Sequence, residues 1–133
     1  MKIAVLGTGY VGLVSGVCLA ANNHTVTCYD TNQKIVNQLS DGKCHIYEPG
    51  LEDLLITCRS NIKFSLLDNK TEKQIMNCDA VLVAVGTPTV NERADLSQIE
   101  TVGRILGRLI RESDKYISII IKSTVVPGTT DTF

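Results

Sequence analysis

Lys2-Ile-Ala-Val-Leu-Gly-Thr-Gly-Tyr-Val-Gly-Leu13 opens with a short, mostly apolar run, Lys2 to Leu6, that stops at Gly7. Such a run suits a strand buried on both faces of a parallel sheet. Leu13, Val17 and Ala20/Ala21 then recur at helical spacing, so Gly7, Gly9 and Gly12 stand at a strand-to-helix junction. Gly7 allows a tight turn that a side chain would obstruct. Gly9 lets the backbone come close to a pyrophosphate, and Gly12 lets the helix lie against the strand. The first-turn N–H groups of that helix have no intrahelical partner, and with the positive end of the macrodipole they favour a doubly charged pyrophosphate.

The next segment supports a dinucleotide. Thr25-Val-Thr-Cys-Tyr29 reads as a second strand ending on Asp30, eighteen positions after Gly12. An acidic side chain there accepts hydrogen bonds from the two hydroxyls of an adenosine ribose, and its charge repels a 2′-phosphate, so NAD is expected rather than NADP. Lys34, basic and close by, is counted with the cofactor-binding residues and qualifies that preference.

The 133 residues make one domain, 1–133, large enough for a substantial core. Thirteen basic and fourteen acidic side chains are mixed without a run of either sign, so the charge pattern gives no support to a nucleic-acid or membrane partner. Met1 leads directly into a strand with no signal-peptide pattern, and no apolar run approaches membrane-spanning length. Cys18, Cys28, Cys44, Cys58 and Cys78 form no C-x-x-C pair, which points to a reduced, cytoplasmic chain without a metal site. Cys18 and Cys28 are expected to be buried, and His24 and His45 to lie on the surface.

Strand and helix signals alternate along the chain. A first helix is expected over Tyr10–Ala21, stopping at Asn22-Asn23. Ile35, Val36 and Leu39 mark a second, ending near Asp41-Gly42. Tyr47–Leu51 is a turn into a third helix, Leu51–Cys58, with Leu54 and Leu55 inward. Ile62–Leu66 is a strand, Asn69–Met76 a short helix, and Ala80–Val85 a central strand broken by Gly86-Thr-Pro-Thr89. After a polar loop to Leu96, Ser97 and Glu100 form a capping box. The following helix turns Ile99, Val102, Leu106 and Leu109 inward and Arg104, Arg108 and Arg111 outward. Ile117–Ile121 is a fifth strand, and Pro127 suits the start of another helix. The fold class is α/β, a Rossmann-like doubly wound parallel sheet. It is truncated before its expected sixth strand, so the chain is read as the N-terminal fragment of a longer protein.

Ligands of such sheets lie beyond the carboxyl ends of the strands, where strand order reverses. The loops at those ends are Gly7 to Gly12, Asp30, Gly86-Thr87-Pro88-Thr89 and Ser123 to Val125, which carry small or hydroxyl residues rather than bulky ones. Glu48, Asp79 and Asp95 are scattered acids, and Asp95, two before the Ser97 cap, reads as structural. No nucleophile with an adjacent base stands out.

Gly7-Thr-Gly-Tyr-Val-Gly-Leu13, Ile46-Tyr-Glu-Pro-Gly-Leu51, Val85-Gly-Thr-Pro-Thr89, Ala94-Asp-Leu96 and Lys122-Ser-Thr-Val125 together resemble the N-terminal domain of the UDP-glucose/GDP-mannose dehydrogenases, most closely the UDP-glucose 6-dehydrogenase branch. The resemblance covers essentially the whole chain. It implies NAD as cofactor and a four-electron oxidation, with UDP-glucose giving UDP-glucuronate for polysaccharide biosynthesis. It also implies that Val11 and its neighbours, Thr8 and Tyr10 included, hold the pyrophosphate, and that Asp30 holds the adenosine ribose. Gly86, Thr87 and Pro88 would line the cofactor cleft with Ser123. Thr124 would reach the nicotinamide side in a supporting catalytic role.

The family's catalytic cysteine belongs to a Gly-Gly-x-Cys motif, and this chain contains no Gly-Gly. That cysteine, the catalytic lysine and a glutamate are expected outside these residues. So are the central helix that pairs subunits into a homo-oligomer and the domains that read the nucleotide sugar. GDP-mannose or an N-acetylated UDP-hexosamine remain open as substrates. Ile35 stands where the family usually has a basic residue, and His45 where a proline is common. A non-catalytic NAD-binding regulatory module, like those of potassium transport systems, is the competing reading.

Overall fold

The computed structural model of the chain describes residues 1–90 and 92–133. Five parallel strands form one sheet: β1 (Lys2–Leu6), β2 (Thr25–Asp30), β3 (Ile62–Leu66), β4 (Ala80–Val83) and β7 (Ser118–Ile121). Their order is β3-β2-β1-β4-β7, so the chain leaves β1 toward one edge and returns to build the other. That reversal beside β1 is the switch point expected of a doubly wound sheet.

Alternation along β1 explains the two layers of helix. Ile3 and Val5 face a cluster with Leu13 and Val17 of α1 (Tyr10–Ala21), Leu39 of α2 (Gln33–Ser40) and Leu55 of α3 (Leu51–Thr57). Ala4 and Leu6 face the opposite cluster, with Ile75 and with Ile99, Leu106 and Leu109 of α4 (Ser97–Arg111). Successive strand residues point to opposite faces. A strand covered on both sides is therefore apolar throughout. Each fully buried leucine or valine contributes about 1.5–3 kcal/mol.

β1, α1 and β3 occupy their expected spans, β2 extends through Asp30, and α2 stops before Asp41-Gly42 as expected. Other segments differ for local reasons. The helix expected over Asn69–Met76 is a 3₁₀ turn over Glu72–Asn77. Asp68 accepts the backbone N–H of Thr71 (2.9 Å) and of Lys70 (2.8 Å), so its side chain competes for the groups that would start a helix. Those same bonds, Thr71 first, hold the Asp68 carboxyl below the usual carboxylate range. β4 ends at Val83, two residues early, although Ala84 N–H still reaches Leu6 C=O at 2.8 Å. The polar loop after Gly86 holds two short antiparallel strands, β5 (Thr89–Val90) and β6 (Arg93–Ala94).

The capping box is corrected. Leu96 holds the cap position of α4 without a side-chain bond, and the Asp95 carboxylate accepts Ser97 N–H at 2.9 Å. Asp95 is structural, as read, and this bond lowers its pKa. Glu100 turns instead to Arg104. Ile99, Val102, Leu106 and Leu109 are buried as expected. Arg104, Arg108 and Arg111 are exposed, but Arg108 reaches back to the buried Glu72. α3 ends at Thr57 with Cys58 as its cap, and the last helix, α5 (Thr129–Thr132), starts after Gly128 rather than at Pro127.

Cys28 is buried, and burial, with Cys58 beside it, pushes its thiol up to about 12. Cys18 is exposed, contrary to expectation. Leu13, Gly16, Val17 and Ala20 form the inward stripe of α1, and Cys18 lies off it. His24 and His45 are half-buried rather than on the surface. No described helix is long and apolar enough to cross a membrane.

Candidate functional site

A cleft of about 760 Å³ lies along the carboxyl ends of the strands. The volume falls within the range of small-molecule and cofactor sites. Its floor is the strand-to-helix turn. Gly7 takes a left-handed φ of 94°, and a Cβ there would meet Ala84 C=O at 2.7 Å. A Cβ on Gly12 would lie 2.0 Å from Gly7 C=O, so α1 packs directly on the turn. Gly9 has nothing within 4 Å of its Cβ position, leaving open space over the turn. No side chain caps α1, and the helical ladder begins with Leu13 N–H donating to Gly9 C=O at 2.9 Å. The N–H groups ahead of Leu13 are thus free to bind an anion.

Thr8 and Asp30 fix one end. Thr8 is buried, and its N–H and hydroxyl both donate to Asp30 Oδ2, at 3.0 and 2.5 Å. Asn32 N–H donates to Asp30 Oδ1 at 2.9 Å. The carboxylate is thereby aimed along the cleft before any ligand arrives.

The far end joins two loops that sequence places 37 residues apart. Thr87 donates its hydroxyl to Thr124 C=O at 2.8 Å, and Ser123 donates to Val85 C=O at 2.7 Å. Gly86 N–H donates to Gln98 Oε1 at 3.2 Å. A third loop crosses the rim. Tyr10 hydroxyl donates to Glu48, Cys44 N–H donates to Glu52 at 2.8 Å, and Gln38 donates to Cys44 C=O at 3.1 Å. Between these ties, His45 lines the cleft with its Nδ1 buried and without a hydrogen-bond partner.

Of the residues read from sequence, Gly7, Thr8, Gly9, Tyr10 and Val11 line the cleft, as do Asp30, Gly86, Thr87, Ser123 and Thr124. Gly12 lies beneath the turn. Lys34 is exposed on α2, its backbone N–H bonded to Asn32, and Pro88 is exposed with its C=O accepting Asp95 N–H at 2.8 Å. Ile35, rather than Lys34, lines the cleft. Gln98, Thr101, His45 and Leu67 also line it, and sequence reading assigned none of them. Gln98 and Thr101 carried a usable signal, because the first turn of a helix that follows a sheet strand begins at the carboxyl edge.

A glycine turn open above Gly9, uncapped helical N–H groups and a carboxylate at the end of β2 suit the pyrophosphate and ribose of a dinucleotide.

The sequence matches the UDP-glucose/GDP-mannose dehydrogenase family, NAD binding domain, over residues 1–133. It is 38% identical over 130 residues to GDP-mannose 6-dehydrogenase of Pseudomonas aeruginosa, covering 97% of this chain and 30% of that protein. It is 38% identical over 134 residues to UDP-glucose 6-dehydrogenase YwqF of Bacillus subtilis, covering 98% and 29%. A crystal structure of a ternary complex of GDP-mannose dehydrogenase from Pseudomonas aeruginosa superposes with a TM-score of 0.91 at 36% identity, covering 98% of this chain and 30% of that one. A UDP-glucose dehydrogenase from the archaeon Pyrobaculum islandicum gives 0.86 at 41% identity, covering 96% and 30%. The chain spans about three-tenths of the length of the curated relatives it matches. With its fold, its cleft and its whole sequence in agreement, the chain belongs to the UDP-glucose/GDP-mannose dehydrogenase family, as its NAD-binding domain.

Proposed function

We propose that this chain is the cofactor-binding domain of a nucleotide-sugar 6-dehydrogenase whose substrate is UDP-glucose. The observation that carries the reading is the cleft itself, with its glycine turn below and Asp30 and Thr124 toward opposite ends. β2 and β7 are three strand steps apart, about 14 Å at about 4.8 Å per step, which suits the length of an extended dinucleotide laid across the strand ends. In this reading the adenosine lies toward Asp30. The pyrophosphate rests on the N–H groups near Val11, and the nicotinamide lies toward Thr124, with Thr87 and Ser123 along the wall.

NAD accepts a hydride in each of two oxidations. The sum is UDP-glucose, two NAD⁺ and water giving UDP-glucuronate, two NADH and three protons. In this reading Thr124 supports the chemistry, while the catalytic cysteine, lysine and glutamate and the surface that pairs subunits belong to the part of the protein outside these residues. Relatives named for UDP-glucose support the sugar assignment, and relatives named for GDP-mannose define the competing one.

The test is NADH formation by the full-length protein with UDP-glucose, GDP-mannose and UDP-N-acetylmannosamine in turn. Two NADH per UDP-glucose is the expected result, with none from the 133-residue chain alone. Preferential oxidation of another sugar nucleotide would reassign the substrate, and oxidation of none would leave a regulatory module.

Asp30→Ala is expected to weaken NAD binding by about 1–3 kcal/mol, the loss of charge-assisted hydrogen bonds to the ribose. It also strands the buried Thr8 donors, so its melting temperature should fall as well. Titration calorimetry showing unchanged affinity would sink the ribose assignment.

A further inference from the structure

The register of β1 on β2 pairs Leu6 with Tyr29, so Gly7-Thr8 and Asp30 leave neighbouring strands side by side. Gly7 N–H donates to Tyr29 C=O at 2.8 Å, and its left-handed φ of 94° then turns the chain. Thr8 follows, buried, and gives both of its donors to a single carboxylate oxygen, Asp30 Oδ2. The hydroxyl bond, at 2.5 Å, has the length of a charge-assisted O–H···O⁻ contact. Both donors of Thr8 are therefore engaged before a pyrophosphate arrives.

The bond from Asn32 N–H to Asp30 Oδ1, at 2.9 Å, is different in kind. It is made within the same turn, two residues on, as aspartates commonly do with their own backbone. The grip of Thr8 comes from another strand, 22 positions away, and a buried hydroxyl has no water to take instead. A threonine side chain is also stiff about χ1, so the donor itself does not wander. Asp30 is only half-buried. Without Thr8 its carboxylate has water within reach and a local turn as its one remaining tie.

We propose that Thr8 is the positioning residue for cofactor choice: by holding the Asp30 carboxylate at the adenosine ribose, it keeps that charge where a 2′-phosphate would stand and so excludes NADP. This rests on the ribose lying at Asp30, as read above. A carboxylate that swings into solvent loses its hydrogen bonds to the ribose of NAD and, in the same movement, withdraws its repulsion from NADP. The two cofactors then change affinity in opposite directions. A general loosening of the glycine turn would weaken both alike.

The test is calorimetric titration of the full-length protein with NAD and with NADP. The unaltered protein should bind NAD the more tightly. Thr8→Val puts a methyl group where the hydroxyl was, and a methyl cannot approach a carboxylate oxygen to 2.5 Å, so Asp30 is displaced. NAD should weaken about threefold and NADP strengthen about threefold, a change in their ratio of the size of one hydrogen bond. Thr8→Ser keeps the hydroxyl and should keep the ratio. Thr8→Ala serves if the valine variant does not fold. An unchanged ratio in Thr8→Val, or a ratio in Thr8→Ser as low as in Thr8→Val, would overturn the assignment, as would an unaltered protein that binds NADP as tightly as NAD. Asp30→Ala separates the two readings. If it shifts the ratio while Thr8→Val does not, only the role of Thr8 fails; if it changes neither affinity, the ribose assignment fails as well.

Discussion

Gly12→Ala is expected to lower the stability of the domain by about 3 kcal/mol or more, or to prevent folding altogether. The added Cβ would sit 2.0 Å from Gly7 C=O, and a tolerable contact requires a retreat of at least about 1 Å. Neither side can give cheaply. Gly7 is pinned by its N–H bond to Tyr29 C=O at 2.8 Å and has Ala84 C=O on its other face. α1 must then move outward, drawing Leu13 and Val17 from a core in which both are fully buried. Gly9→Ala is the control. Its φ of −63° is ordinary for alanine and its Cβ position is empty, so stability should hold within about 1 kcal/mol while NAD affinity falls. Urea denaturation and NAD titration of the two variants would separate these effects. Equal stability of both would show that the close packing of α1 on the turn is not what the fold depends on.

Arg108→Ala is expected to cost about 2–4 kcal/mol. Its guanidinium donates to Glu72 at 2.6 Å, and the Glu72 side chain is only 6% exposed, so truncation leaves a nearly buried carboxylate with no cation. The figure is set below that for a fully buried pair because Arg108 is itself 48% exposed and water can partly take its place. Glu100–Arg104 on the same helix is the contrast. Those side chains are 63% and 77% exposed, so Arg104→Ala should change stability by less than about 0.5 kcal/mol. A double replacement, Glu72→Met with Arg108→Met, should recover most of the loss, since apolar pairs of similar size replace buried ion pairs well. Thermal melts of the three variants check this, and a harmless Arg108→Ala would mean that Glu72 is not confined as described.

Much of the architecture was readable because two independent signals coincided. Lys2–Leu6 combines an apolar run with a glycine stop, and Tyr10–Ala21 combines helical spacing with the Asn22-Asn23 break, so their limits were correct to the residue. Asp30 was placed by the end of the Thr25–Tyr29 strand together with its spacing from Gly12, and the structure puts it in the cleft beside the glycine turn. Side-chain bonds between distant residues leave no periodic trace. Thr8 to Asp30, Tyr10 to Glu48 and Arg108 to Glu72 lie 22, 38 and 36 positions apart, and only the fold brings them together. Local motifs misled where they were permissive. Ser-x-x-Glu at Ser97 matched a capping box, yet Asp95 already supplied the acceptor. Cys18 was misplaced because α1 is apolar nearly all round, which hides its inward face. His45 was expected on the surface because a lone histidine carries no spacing, whereas the structure leaves it half-buried on the cleft wall.

The outer strand of the sheet has a further physical consequence. β7 bonds only to β4 among the described residues, and Ile120 on it is 50% exposed. Its outward amides and carbonyls therefore form an unfilled ladder beside an apolar side chain, a template onto which any extended segment can zip. When the domain is handled alone and concentrated, that edge is where insoluble self-association would start. A lysine in place of Ile120 is the natural gatekeeper against it.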